Sequence, residues 1–185
     1  MYARAGSLLC VALLWAVNTA QAAESSSVSV DSQLFDPIAK VLLHPRCLNC
    51  HTSVDYPKQG DDRHPHWFRV MRGGDDRGAP GMRCAACHQP VNNEASGVPG
   101  APNWHAAPRS MAGEQKTPAQ LCRVLLDKSK NGNRSIDALV EHMSNDPLVA
   151  WGWAPGAKRE PVPIAKPEFV TLLQRWQKAG APCPT

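Results

Sequence analysis

Residues 44–51, His44-Pro45-Arg46-Cys47-Leu48-Asn49-Cys50-His51, and residues 83–90, Arg83-Cys84-Ala85-Ala86-Cys87-His88-Gln89-Pro90, decide how this chain is to fold, because both contain the pattern C-x-x-C-H. Two thiols three residues apart on a helical turn point the same way, and a His directly after them lies beside both. This arrangement suits a porphyrin attached through two thioethers, with the adjacent imidazole as the proximal iron ligand. Cys47, Cys50, Cys84 and Cys87 are therefore candidate attachment points for two c-type haems, and His51 and His88 candidate iron ligands. Structural zinc, disulfides or a thioredoxin-like pair are the plainer uses of such cysteines. Zinc halves are usually about 15–20 residues apart, whereas 33 residues separate Cys50 from Cys84. Neither zinc nor a disulfide requires a His after both pairs, and the βαβ pattern expected around a redox pair is absent.

Outward from the motifs, residues 44–107 show no sustained helical or alternating period, while Gly, Pro, Asp and Asn recur throughout. A segment of this kind cannot build a side-chain core alone. Two large apolar cofactors can organise it instead. The flanks differ. Asp36-Pro37 reads as an N-cap and first helical position, with Ile38, Val41 and Leu42 on one face and Pro45 as the stop. Thr117-Pro118 opens a second helix through Leu121, Val124 and Leu125, and Asn131-Gly132-Asn133 turns the chain. Ile136, Leu139, Val140 and Met143 form one stripe and Phe169, Leu172, Leu173 and Trp176 another, the latter ending before Gly180. The expected fold class is mainly α with extensive loops, the C-terminal helices packing on the cofactor-binding region.

The N-terminus reads as an export signal over residues 1–22: Arg4 gives the positive start, Leu8 to Val17 the apolar run, and Ala20-Gln21-Ala22 the small-x-small cleavage site. The run is too short for a membrane anchor, which requires about 20 residues. Residues 23–33 form a Ser-rich, flexible lead-in. Residues 34–185 form one domain, cofactor-binding over about 34–112 and helical over about 117–183. Cleavage removes Arg4 and Cys10, leaving 19 Lys and Arg, 16 Asp and Glu, and six cysteines. Haem propionates would bring the loaded protein near neutrality, so the basic composition does not point to nucleic acid. Export implies a periplasmic location, where disulfides are permitted. Cys122 and Cys183 are thus either bridged or two buried thiols, since sequence alone gives no separation.

The second motif begins 37 residues after the first, leaving no room for two single-haem domains in tandem. The spacing resembles that of compact multihaem cytochromes, which often use His on both sides of iron. Residues 46–90 resemble the small dihaem subunit of periplasmic nitrate reductase, through Arg46 to His51, His66-Trp67-Phe68, a Gly/Asp-rich loop, and Arg83 to Pro90. That resemblance implies His66 as a distal ligand. It departs where the family has a His upstream of the first motif, since no His precedes His44. The whole chain, with Pro102-Asn103-Trp104-His105, Glu141-His142-Met143 and Trp151-Gly152-Trp153, resembles small exported cytochromes labelled isoquinoline 1-oxidoreductase subunits. That label implies electron acceptance from a molybdenum-containing oxidoreductase. The chain itself carries no motif for molybdopterin, so such an enzyme would be a separate redox partner.

The distal candidates are His44, His64, His66, His105, His142, Met71, Met82, Met111 and Met143. His44 lies only three residues before Cys47, which makes the far side of its own haem hard to reach, though it could reach the neighbouring one. His105 follows Trp104 in a Pro-rich loop that could wrap a porphyrin, whereas His142 is about 110° from the centre of its helix stripe and Met143 is on that stripe. His66 and His105 are the choices, with His142 and Met111 in reserve. Trp151 and Trp153 read as packing. The resulting expectation is an exported electron-transfer protein with two haems and no catalytic residues of its own. The rival is a dihaem peroxidase-like enzyme, or a haem sensor, with one open iron.

Overall fold

The computed structural model describes Met1, residues 33–156 and residues 158–185. Apart from Met1 and Gln33, the expected signal segment and lead-in lie outside the described residues. Helix α1, Phe35–Leu42, buries Phe35, Ile38, Ala39 and Val41 along one face. It begins two residues before the expected first helical position, Pro37, with Leu34 at the cap and no side-chain capping bond. Phe35 explains the difference. Its ring is fully buried, with its centroid 5.2 Å from that of Trp176. Burying a ring of that size is worth about 1.5–3 kcal/mol, more than the ~1 kcal/mol of a cap. Asp36 falls in the first turn instead, where the helix dipole favours a carboxylate.

Pro45 stops α1 as expected. The residue before a proline is driven out of the helical region, and His44 is extended at φ −72°, ψ 149°. Pro45 then starts α2, Pro45–Leu48, whose turn continues through backbone bonds from Cys50 and His51 to the Cys47 carbonyl. Between α2 and residue 113 lie a two-residue antiparallel ladder of β1, Lys58–Gln59, and β2, His64–Pro65, and the single turn α3, Cys84–Cys87. Short 3-10 turns occur at Trp67–Arg69 and Arg109–Met111. The ladder is too brief to leave an alternating pattern in sequence.

The C-terminal part follows its periodicity. Helix α4, Pro118–Leu126, opens with a capping box in which Thr117 Oγ1 accepts from the Gln120 amide at 3.2 Å and the Gln120 side chain accepts from the Thr117 amide at 3.0 Å. Helix α5, Ile136–Asn145, is capped by Ser135, and the short α6, Pro147–Ala150, by Asp146. Helix α7, Lys166–Lys178, closes the domain. α1 packs on α4 and α7, and α5 on α7. Phe35, Ile38, Val41, Leu121, Leu139, Met143, Phe169, Leu173 and Trp176 form the shared core, edged by Leu42, Leu125, Ile136 and Leu172. Cys122 and Cys183 are joined by a disulfide with Cα atoms 5.6 Å apart. Among the described residues no helix is long and apolar enough to cross a membrane. The described chain is mainly helical with loops.

Candidate functional site

The loop-rich segment is held by buried polar groups rather than apolar ones. Arg72 donates to the Thr52 carbonyl, to Thr52 Oγ1 at 2.9 Å, to the Ala107 carbonyl and to Asp76. Glu114 accepts from the Ser53 amide at 2.6 Å, from Ser53 Oγ at 2.7 Å, and from Lys58 at 2.6 Å and Arg63. Burial opposes its ionisation, but these bonds outweigh it and hold the carboxyl at about 2. The effect is to clamp the chain around residue 114 against the strand of residues just after His51. Gly113 donates to the His51 carbonyl, and a Cβ there would stand 2.7 Å from Leu48 Cδ2.

A backbone carbonyl stands at each motif histidine, the one at His88 held by the Gly100 amide donating to Asn92 Oδ1 at 2.9 Å. His51 Nδ1 donates to the Met111 carbonyl at 2.9 Å, and His88 Nδ1 to the Pro99 carbonyl at 2.7 Å. A carbonyl only accepts, so the proton in each neutral ring is on Nδ1 and the Nε2 lone pair is left for a metal. Pro99 can lie there because Gly100 follows it: a Cβ on Gly100 would come within 2.1 Å of the Val91 carbonyl oxygen. Trp104 stacks on His88, with centroids 4.4 Å apart and planes 5° apart. Burial lowers the pKa of both histidines. For His51 the neighbouring His142, Arg72 and His105 push the same way, and for His88 so do His66 and Arg159.

The same tautomer logic sorts the distal candidates. His44 Nδ1 accepts the Arg46 amide at 3.3 Å, which puts its proton on Nε2, the wrong nitrogen for ligation from that side. His64 has both nitrogens engaged, Nδ1 with Asp62 Oδ1 at 2.6 Å and Nε2 with the Gln59 amide nitrogen at 3.0 Å. His66 Nδ1 donates to the Trp67 carbonyl at 2.8 Å and His105 Nδ1 to the Asn103 carbonyl. His142 Nδ1 stands 3.2 Å from Asp146 Oδ2. His66, His105 and His142 therefore keep Nε2 for a ligand. His66 lies edge-on to His88, with ring centroids 6.0 Å apart and planes 74° apart. His142 and His105 each contribute a repulsion that lowers the His51 pKa.

The sulfur candidates have other surroundings. Met143 is in the core, Met71 and Met82 are exposed, and the methyl end of Met111 lies against Gly132. Trp151 donates to Asn92 and Trp153 to the Ile164 carbonyl, Trp153 also packing near Phe169. Burial raises the thiol pKa of Cys47, Cys50 and Cys84. Burial, followed by repulsion from Cys50, pushes Cys47 up to about 12. Burial, followed by repulsion from Cys84, pushes Cys50 up to about 11. Reactive dithiols have their values lowered instead. Among the described residues no three His, Cys, Asp or Glu side chains converge as a small metal ion requires. A haem iron needs only one or two protein ligands.

Sequence reasoning overlooked Arg46, Arg72, Glu114 and Asp146. Arg46 could be noticed beside Cys47; the others stand in loops or helix ends without a spacing signal. Comparison with protein families, with curated proteins and with solved structures finds no match to this chain.

Proposed function

We propose that the chain is an exported dihaem c-type cytochrome that passes single electrons between partner proteins in the periplasm. The observation that carries this reading is the pairing of two C-x-x-C-H motifs with two motif histidines whose Nδ1–H groups are donated to the Met111 and Pro99 carbonyls. When bound, haem iron supplies one-electron redox chemistry. Cys47 and Cys50 would hold one haem and Cys84 and Cys87 the other. His51 and His88 are the proximal ligands in this reading. For the second centre the distal ligand is His66, supported by its 6.0 Å ring separation from His88.

For the first centre His142 takes precedence over His105. It projects from a helix rather than a loop, and its ring is oriented by the carboxylate of Asp146, itself fixed by accepting the Leu148 amide at 2.8 Å. Carboxylate-oriented imidazoles are a recurrent form of metal ligand. The donor or acceptor is a separate oxidoreductase, and the sequence resemblance implies the molybdenum-containing class. Intact mass spectrometry tests the central claim. After expression with a haem-ligation system, the denatured chain should carry the mass of two haems, and Cys87→Ala should retain a single-thioether attachment at the second motif. A chain with the mass of the bare polypeptide defeats the proposal.

A further inference from the structure

We propose that Arg46 and Arg72 make the centre at Cys47–His51 the higher-potential one of the two, so that the half-reduced protein holds its electron there. The inference rests on the dihaem reading above. Both guanidinium groups are buried, at 4% and 5% exposure, and both adjoin the first motif. Arg46 precedes Cys47 in α2, with its guanidinium 5.8 Å from the centre of the Trp151 ring. Arg72 bonds both the carbonyl and the hydroxyl of Thr52, the residue after His51.

Neither charge is fully compensated inside the protein. Arg46 pairs with Asp61, whose side chain is 44% exposed, and Arg72 with Asp76, at 23%. Water therefore screens the carboxylates more than the guanidinium groups. Each arginine also keeps a buried Nε–H without a partner. The second motif lacks this setting. No residue of α3 is buried. Arg83 is 44% exposed and bonded to both oxygens of Asp75, while the half-buried Arg159 donates to the Gly97 and Pro155 carbonyls.

Reduction adds one electron to a ferric centre, making it ferrous, and requires no proton. The charge of the site falls by one. A buried cation nearby stabilises that product, and does so more strongly where water is excluded. Burial and local charge are among the levers by which a protein sets haem potential. In the half-reduced protein, an electron on the second centre would leave it ferric and convert the first from ferric to ferrous.

The test is a mediated potentiometric titration of the full dihaem protein with dithionite and ferricyanide, followed optically and by EPR. Cys87→Ala labels the second centre, because a single-thioether haem has a shifted α band. The labelled centre should titrate at the lower midpoint. Arg46→Gln should lower only the upper midpoint, by about 59 mV or more, a tenfold change in a one-electron equilibrium. Arg46→Lys should restore most of it, and Arg83→Gln should move neither midpoint by that amount. If Arg46→Gln does not load haem, Asp61→Asn gives the same test with opposite sign, raising the upper midpoint. The inference is overturned if the labelled centre is the upper one, or if neither Arg46→Gln nor Asp61→Asn moves the upper midpoint. Absence of two covalent haems would instead defeat the dihaem reading.

Discussion

His142 stands where its helical angle puts it. Its offset from the Ile136/Leu139/Val140/Met143 stripe expects it to flank or leave the core, and it is half-buried, with Nδ1 3.2 Å from Asp146 Oδ2. The angle describes one helix and does not say which neighbouring group the imidazole serves. Substitution separates the candidates. His66→Ala should make the second haem high-spin or open to carbon monoxide, and His142→Ala should do so for the first. His105→Ala should leave both low-spin. Visible and EPR spectra of the three variants check the assignment, and a first haem that opens only in His105→Ala would reverse it.

At the scale of elements, the helices and the loop segment are stabilised by different means. α1, α4, α5 and α7 rely on apolar stripes, with side-chain caps on α4 and α5, whereas residues 44–114 rely on a few buried charges. Glu114 is the clearest case. Its carboxyl is depressed from an ordinary value of 4.5 to about 2, so its contribution to stability is full above pH 4.5 and is lost as pH falls towards 2. The shift corresponds to something on the order of 3 kcal/mol. The wild-type protein should therefore lose stability between about pH 5 and pH 2, and Glu114→Gln should be less stable at neutral pH with a flatter profile in that window. Denaturant unfolding across this range measures both. Parallel profiles for the two proteins would remove Glu114 from the account.

For the whole molecule, the two parts are tied into one unit by α1, which enters the helical core and leads directly into the first motif. The C-terminus is fastened separately. The bridge between Cys122 and Cys183 spans 61 residues, and Trp176 donates to the Pro182 carbonyl at 2.9 Å beside it. Loop entropy for a closure of that length gives about 4 kcal/mol, within the usual range of about 2–5 for a native bridge. Reduction should lower the unfolding midpoint, while thioether-bound haem stays attached because thioethers resist thiol reductants. Non-reducing peptide mapping should recover Cys122 and Cys183 linked. Equal stability with and without reductant would leave the bridge without a structural role.

The helical stripes, the Thr117 cap and the stop at Pro45 were legible in the sequence because each depends on residues a few positions apart. So were the two C-x-x-C-H motifs, whose geometry is contained in a single turn. The upstream start of α1 was not legible, since it depends on Phe35 meeting Trp176 from the far end of the chain. The same holds for the carbonyls of Met111 and Pro99 that orient His51 and His88, and for the cations Arg46 and Arg72 around the first motif. Sequence also left Cys122 and Cys183 undecided, because a bridge requires two distant Cα atoms at bonding separation. Local spacing determined which residues can hold a cofactor. Tertiary structure decided which proton each imidazole keeps and which charges surround it, since both are set by groups that only folding brings together.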